Sequence, residues 1–111
     1  VHDRLVGLSS HLPYLTATAL MQTAVAFQDE QVWSVTASGF RDTSRLAGSD
    51  PAMMLDILLT NRTAVLEHLQ KYGEALTAVQ QLLQANDEKA LAKWLAAAQS
   101  HYQEYKTKKQ K

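Results

Sequence analysis

Two arginines stand four residues apart in the most polar part of this 111-residue chain. Arg41 and Arg45 belong to residues 38–51, Ser-Gly-Phe-Arg-Asp-Thr-Ser-Arg-Leu-Ala-Gly-Ser-Asp-Pro. On a helix, side chains four positions apart share a face, so these like charges repel each other unless an anion lies between them. A guanidinium presents a planar fork of N–H donors that fits a carboxylate or a phosphate. The spacing is therefore consistent with an anion site.

Asp42 is the nearest acidic residue and offers a competing interpretation. It stands three residues before Arg45 and can hold one guanidinium, which leaves the remaining donors pointing outward. Alternatively, the charges form a solvated salt-bridge cluster on a surface turn, which would contribute little to stability. Spacing alone leaves the anion site and the surface cluster equally open.

His2 and His11 are further side chains with possible chemistry. They are nine residues apart, so a straight helix would place them on roughly opposite faces. The sequence has no cysteine and no His or carboxylate set that completes a metal site, so we expect none. It also lacks a Gly-x-Gly-x-x-Gly motif and a phosphate-binding lysine loop, so we expect no dinucleotide site within the chain.

The elements that must position these residues are helical, because no strand-like alternation persists and glycine and proline are few. Apolar residues recur every three or four positions from His2 to Phe27, which predicts the first helix. Pro13 predicts a kink or break near His11. A shorter element is predicted around Asp29 to Ala37. Gly39 then allows a tight backbone in the arginine segment.

The second half predicts two long helices. Gly48 ends the preceding helical turn, and Asp50 with Pro51 starts a new helix as cap and first residue. Apolar residues from Val65 to Leu83 follow a coiled-coil spacing, and residues 86–88, Asn-Asp-Glu, cap the last helix. We expect an all-α helical bundle with long antiparallel helices in one domain, residues 1–111. Its excess apolar surface predicts a homodimer.

Charge and hydropathy exclude some partners. The formal net charge is zero, which gives no electrostatic reason to expect nucleic acid. The lysines after residue 105 are interpreted as the end of a helix that complements its macrodipole, followed by a frayed tail. No apolar run approaches the roughly 18 residues needed to cross a bilayer, so we expect no membrane partner.

Three motifs in register resemble the C-terminal domain of prephenate and arogenate dehydrogenases, the enzymes of tyrosine biosynthesis. They are His2-Asp3, the run Ser-His-Leu-Pro at residues 10–13, and the run Gly-Phe-Arg-Asp-Thr-Ser-Arg-Leu-Ala-Gly-Ser-Asp-Pro at residues 39–51. The motifs reach from Val1 to about Asn61, and the helical layout continues to the end. Many members have a second histidine where this chain has Tyr14, and a tryptophan where it has Met54.

The resemblance implies a cytoplasmic two-domain enzyme, with a domain binding NAD or NADP upstream of Val1. This chain would form the dimer and one wall of the cleft for prephenate or arogenate, and would be inactive alone because the catalytic base belongs to the upstream domain. It implies that Arg45 grips a substrate carboxylate, with Asp42 supporting it and Arg41 solvated. The other substrate-binding residues it implies are His2, His11, Tyr14 and Gly39.

Oxidative decarboxylation is the reaction that the resemblance implies, with hydride passing to the nicotinamide and the ring carboxylate leaving as CO2. Val1 directly precedes an ordered-looking helix without an initiator Met, which suggests a piece of a longer protein. The alternative function is a stand-alone helical module whose arginines bind an acidic protein. A strand, glycine-rich turn and helix encoded upstream would favour the enzyme.

Overall fold

The computed structural model describes residues 2–109, which contain seven α-helices and no strand. This confirms the predicted all-α class. The helices are α1 His2–Val6, α2 Leu12–Ala26, α3 Val32–Val35, α4 Ser38–Ser44, α5 Pro51–Thr60, α6 Arg62–Gln84 and α7 Glu88–Lys109. A π-helical turn, Gly7–His11, joins α1 to α2, and a 3-10 turn, Arg45–Gly48, follows α4.

The chain divides into two compact units, residues 1–70 and residues 71–111. In the first unit, α2 packs against the π-turn, α4 and the 3-10 turn. The second unit contains the last part of α6 and the whole of α7. The arginine segment and both N-terminal histidines therefore belong to the first unit.

Pro13 shapes the first helical segment, but it does not break it. A proline has no N–H to donate to the preceding turn, and its ring clashes with the carbonyl of that turn. The chain widens into the π-turn just before it, and the Leu12 N–H donates to the Gly7 carbonyl five residues back. Pro13 then lies in the first turn of α2, where proline is tolerated. The predicted break near His11 is thus a continuous π-turn.

The region around Gly39 differs from the sequence-based expectation. The predicted element at residues 29–37 shrinks to α3, and the next helix, α4, already begins at Ser38. Gly39 lies within α4, no glycine in the described residues has a positive φ, and a Cβ at Gly39 would meet nothing within 4 Å. The expectation that Gly39 is needed for a tight backbone was wrong. Its φ and ψ are helical, and any L-residue can adopt helical φ and ψ.

The predicted helix caps are present. Asp50 precedes α5, and its side chain accepts a hydrogen bond from the Met53 N–H at 3.0 Å. Asp87 caps α7 in the same way through the Ala90 N–H at 3.1 Å. Each cap satisfies one of the N–H groups that the first helical turn leaves without a backbone partner. Gly48 ends the 3-10 turn, as expected.

A Schellman turn ends α6. The Asn86 N–H donates to Leu83 O and the Asp87 N–H to Leu82 O, each at 3.1 Å. Asn86 has a φ of 53°, in the left-handed region where asparagine is better tolerated than most residues. The end of α6 and the start of α7 are therefore defined by three consecutive residues of the sequence, 85–87.

The buried apolar core of the described residues is small. It consists of Ala17, Met54, Ala64 and Val65, all in the first unit. Met54 is 7% exposed and is the largest of the four. Many large apolar side chains on other faces remain accessible, including Leu83 and Tyr105 in the second unit at 62% and 57%. This exposed surface is available for contact with another protein surface.

Gln28 offers a test of the local backbone at the end of α2. Its φ is 61°, in the left-handed region that is unfavourable for a residue with a Cβ. Glycine adopts this conformation without the Cβ penalty. We expect Gln28→Gly to raise the free energy of unfolding by about 0.5–1 kcal/mol, measured by urea denaturation. Gln22→Gly, at an exposed interior position of α2, should lower it by about 1 kcal/mol and serves as the control.

Candidate substrate site

The first unit contains an open cavity of about 640 Å³ beside the arginine segment, here called the arginine cavity. Both Arg41, on α4, and Arg45, at the start of the 3-10 turn, line it. Part of its lining is apolar and includes Met21, Trp33 and Phe40. The remaining lining residues are Thr36, Ala37, Ser38, Ser44, Ala47 and Gly48.

The charges of the arginine cavity are arranged differently from the expectation. Asp42 pairs with Arg41, at 3.6 Å from Nε to Oδ1, and both side chains are more than 70% exposed. No ion pair joins Asp42 to Arg45 within residues 2–109, so the expected support of Arg45 by Asp42 is absent from this structure. The reason is local: α4 ends at Ser44, and Arg45 begins the narrower 3-10 turn. Among residues 2–109, Arg45 therefore has no acidic partner.

Two aromatic rings form the apolar part of the arginine cavity. The centroids of Trp33, on α3, and Phe40, on α4, lie 6.4 Å apart with the rings tilted by 60°. This is within the range of favourable edge-to-face contacts. The ring contact links the two short helices and places apolar surface beside two cations. Such a site suits a ring that carries a carboxylate.

A second cavity, of about 260 Å³, is lined in part by Leu46 of the 3-10 turn and is here called the Tyr14 cavity. It brings together Tyr14 and Met54, the two positions at which this chain departs from many members of the family it resembles. The other lining residues are Ser9, Ser10, Pro13, Leu46 and Ser49. The lining is uncharged, and its hydroxyl groups can both donate and accept hydrogen bonds.

His11 is buried rather than lining either cavity. It is 8% exposed, and its Nδ1 lies 3.1 Å from the side-chain amide nitrogen of Asn61. His2 is exposed on α1, and His2, Asp42 and Gly39 line neither cavity. Of the six residues predicted for the site, Arg45 therefore lines the arginine cavity and Tyr14 lines the Tyr14 cavity, and both cavities include residues of the 3-10 turn. His11 instead contacts Asn61, the residue between α5 and α6.

Sequence reasoning missed Asn61 and His68. Asn61 lies between α5 and α6 and connects to both His11 and the backbone of α1. His68, on α6, donates from Nε2 to the Arg4 carbonyl at 2.8 Å, while Arg4 and Glu67 form an ion pair. These contacts join residues 50 to 64 positions apart. No periodicity or motif within the sequence signals them.

Gly39 provides a test that separates stability from binding. Open space around its Cβ position means that alanine meets no protein atom there, and alanine is the better helix former. We expect Gly39→Ala to raise the free energy of unfolding by up to about 1 kcal/mol, measured by thermal or urea denaturation. Gly39 lies between Ser38 and Phe40, which line the arginine cavity, so the binding role that the family resemblance implies for Gly39 would appear as weaker substrate binding in the same variant.

Residues 2–109 do not meet the requirements of a metal site, a membrane-spanning helix or a dinucleotide-binding fold. No group of three or more His, Asp or Glu side chains there is arranged to hold a metal ion. Within the same range, no helix is both long and apolar enough to cross a membrane. A dinucleotide fold needs a strand followed by a glycine-rich turn, and the described residues contain no strand.

The fold is an all-helical domain in which two arginines line an open cavity. The chain belongs to the family described as "Prephenate dehydrogenase, dimerization domain", whose family model matches residues 1–97. It is 27% identical over 104 residues to prephenate dehydrogenase of Bacillus subtilis. The aligned region covers 90% of this chain and 28% of that protein.

Two solved structures share the fold. The crystal structure of Synechocystis arogenate dehydrogenase matches with a TM-score of 0.87 and 30% identity, over 94% of this chain and 39% of that one. The structure of prephenate dehydrogenase from A. aeolicus, in complex with hydroxyphenyl propionate and NAD+, matches with a TM-score of 0.85 and 30% identity. That match covers 94% of this chain and 37% of the other. The chain thus spans well under half of each relative.

Proposed function

We propose that this chain is the substrate-binding and dimerisation domain of an enzyme that oxidatively decarboxylates prephenate or arogenate. The observation that carries the proposal is the arginine cavity, in which Arg45 has no acidic partner among the described residues. Membership of the prephenate dehydrogenase dimerization-domain family supports the same function. The relatives named as prephenate and arogenate dehydrogenases support it too.

In this proposal Arg45 binds a substrate carboxylate through its planar fork of donors. Arg41 adds a second positive charge at the same cavity, and its exposed pair with Asp42 costs little to rearrange. Trp33 and Phe40 provide the surface on which the substrate ring rests. Fixing both the charge and the plane of the ring orients its hydroxyl-bearing carbon for reaction.

The nicotinamide cofactor, NAD or NADP, would accept the hydride from that carbon. Because residues 2–109 contain no strand and turn for a dinucleotide, its binding residues would lie in another domain. The residues of this chain then hold the substrate and keep its carboxylates in place while the ring loses CO2 and becomes aromatic. Dependence on a soluble nicotinamide favours a cytoplasmic location.

The dimer would use the exposed apolar faces of the second unit. Leu76 and Leu83 on α6 are 53% and 62% exposed, and α7 presents Leu95, Tyr102 and Tyr105. A surface of this kind is more apolar than a protein of this size normally leaves in water. The family description as a dimerization domain supports a second copy of this chain as the partner.

A domain exchange tests the proposed function. The part of Synechocystis arogenate dehydrogenase that matches this chain would be replaced by residues 1–111, which the fold similarity permits. We expect the resulting chimera to reduce NAD or NADP in the presence of arogenate or prephenate. The measurement is the absorbance of the reduced nicotinamide.

The control is the same chimera with Arg45→Ala, which should lose most of the activity while remaining folded and dimeric. A chimera that is folded and dimeric, yet inactive with both substrates at high concentration, would contradict the proposed function. Equal activity of the chimera and its Arg45→Ala variant would contradict the role of Arg45.

A further inference from the structure

Asn61 joins three parts of the first unit through one side chain. Its amide nitrogen lies 2.8 Å from the backbone carbonyl of Asp3 in α1. The same nitrogen lies 3.1 Å from Nδ1 of His11 in the π-turn. Asn61 itself lies outside the helices, between α5 and α6, with φ −108° and ψ 31°.

The contact between Asn61 and the Asp3 carbonyl determines which group is the donor in the contact between Asn61 and His11. A backbone carbonyl only accepts hydrogen bonds, so the atom of Asn61 that faces Asp3 must be the NH2 group. One of its two hydrogens is used there, and the other points to Nδ1 of His11. That nitrogen must therefore accept, which requires it to carry no proton. A neutral imidazole then has its proton on Nε2.

The surroundings leave this arrangement little freedom. A Cβ added at Gly7 would lie 3.3 Å from the amide nitrogen of Asn61 and 3.2 Å from Cδ2 of His68. These distances show that the π-turn backbone lies directly against both side chains. His68 in turn donates to the carbonyl of Arg4, next to the carbonyl that Asn61 uses. His11 is 8% exposed, so water has little access to the ring.

We propose that Asn61 is a positioning residue that holds His11 as the neutral Nε2–H tautomer. His11 then serves as a hydrogen-bond donor and not as a base, because its only lone pair on a ring nitrogen is occupied by Asn61. His11 is buried and lines neither cavity, so the use of this donor in the substrate cleft of the complete enzyme rests on the proposed function. The tautomer itself depends only on the contacts of Asn61.

Nuclear magnetic resonance measures the tautomer directly. In the full 111-residue chain, labelled with nitrogen-15, long-range proton–nitrogen correlations distinguish the two neutral tautomers and the imidazolium. Near neutral pH we expect His11 to show a protonated Nε2 and an unprotonated Nδ1. A protonated Nδ1, or a cationic ring, would overturn the proposal without any variant being made.

Variants at two positions test whether Asn61 is the cause. Asn61→Asp replaces the donor with an acceptor, so His11 should gain a proton on Nδ1. His68→Gln keeps a donor for the Arg4 carbonyl and is the matched control, so the His11 pattern should not change. An unchanged pattern in Asn61→Asp would contradict the proposal. The proposal would also be contradicted if His11 gained a proton on Nδ1 in both variants, since that result would indicate a general loosening of the packing.

Kinetics of the active chimera then test whether the Nε2–H donor of His11 contributes to catalysis. Asn61→Asp should lower kcat/KM about ten-fold, as expected for a misdirected hydrogen bond, and His68→Gln should not. His11→Gln, which can donate from near the Nε2 position, should retain more activity than His11→Asn. If the chimera has no activity, the proposed function fails, whereas the tautomer result stands independently. Equal activity of all variants would show that the donor is not used.

Discussion

Replacing Arg45 with alanine is expected to weaken transition-state binding by about 2–5 kcal/mol, which is a loss in kcat/KM of between about thirty-fold and several thousand-fold. The physical reason is that a substrate carboxylate, held between the open arginine cavity and the other domain of the proposed enzyme, would lose the charged partner that compensates for its lost hydration. Steady-state kinetics of the chimera with arogenate and prephenate measure the effect. Arg45→Lys should recover only part of it, because an ammonium has no planar fork.

Arg62→Ala is the matched control for Arg45→Ala. Arg62 is also an exposed arginine of the first unit, but it does not line the arginine cavity. Its replacement should change kcat/KM less than about two-fold, as for an ordinary surface charge. Arg41→Ala should give an intermediate loss. If Arg45→Ala and Arg62→Ala have the same small effect, the arginine cavity does not bind the substrate carboxylate.

Introducing charge on the exposed apolar face of α6 is expected to abolish the dimer. Leu76→Glu combined with Leu83→Glu would place two carboxylates in the proposed contact, and by symmetry four in the assembly. Burying unpaired charges costs several kcal/mol, so the double variant should be monomeric at micromolar concentration. Analytical ultracentrifugation or light scattering measures the mass, and circular dichroism verifies that the helices remain.

The control for this experiment carries the same charges on the opposite side of α6. Thr77 and Gln81 are exposed and lie away from the apolar positions at the 3.6-residue period, so Thr77→Glu with Gln81→Glu should remain dimeric. A monomeric parent chain would contradict the proposed homodimer. A dimeric Leu76→Glu, Leu83→Glu variant would show that another surface forms the contact.

The helical content and the capped helix starts were determined by local sequence. Asp50 with Pro51 and Asp87 with Glu88 gave the starts of α5 and α7, because capping uses only atoms a few residues apart. The break at Asn61, which divides the long helix expected from Pro51 to Leu83 into α5 and α6, was not predicted. The π-turn before Pro13 was foreseen as a disturbance, but its continuous form depends on packing against residues 61–68, which the local sequence does not show.

The tertiary structure alone decided which distant groups meet. Spacing suggested that Asp42 could support Arg45, yet the change from α-helix to 3-10 turn at Arg45 leaves Asp42 with Arg41 instead. Likewise, only the folding of α1 and the π-turn onto residues 61–68 brings Asn61 to His11. A sequence pattern records the direction in which a side chain points on its own helix. Its partner is chosen by how helices far apart in the sequence pack together.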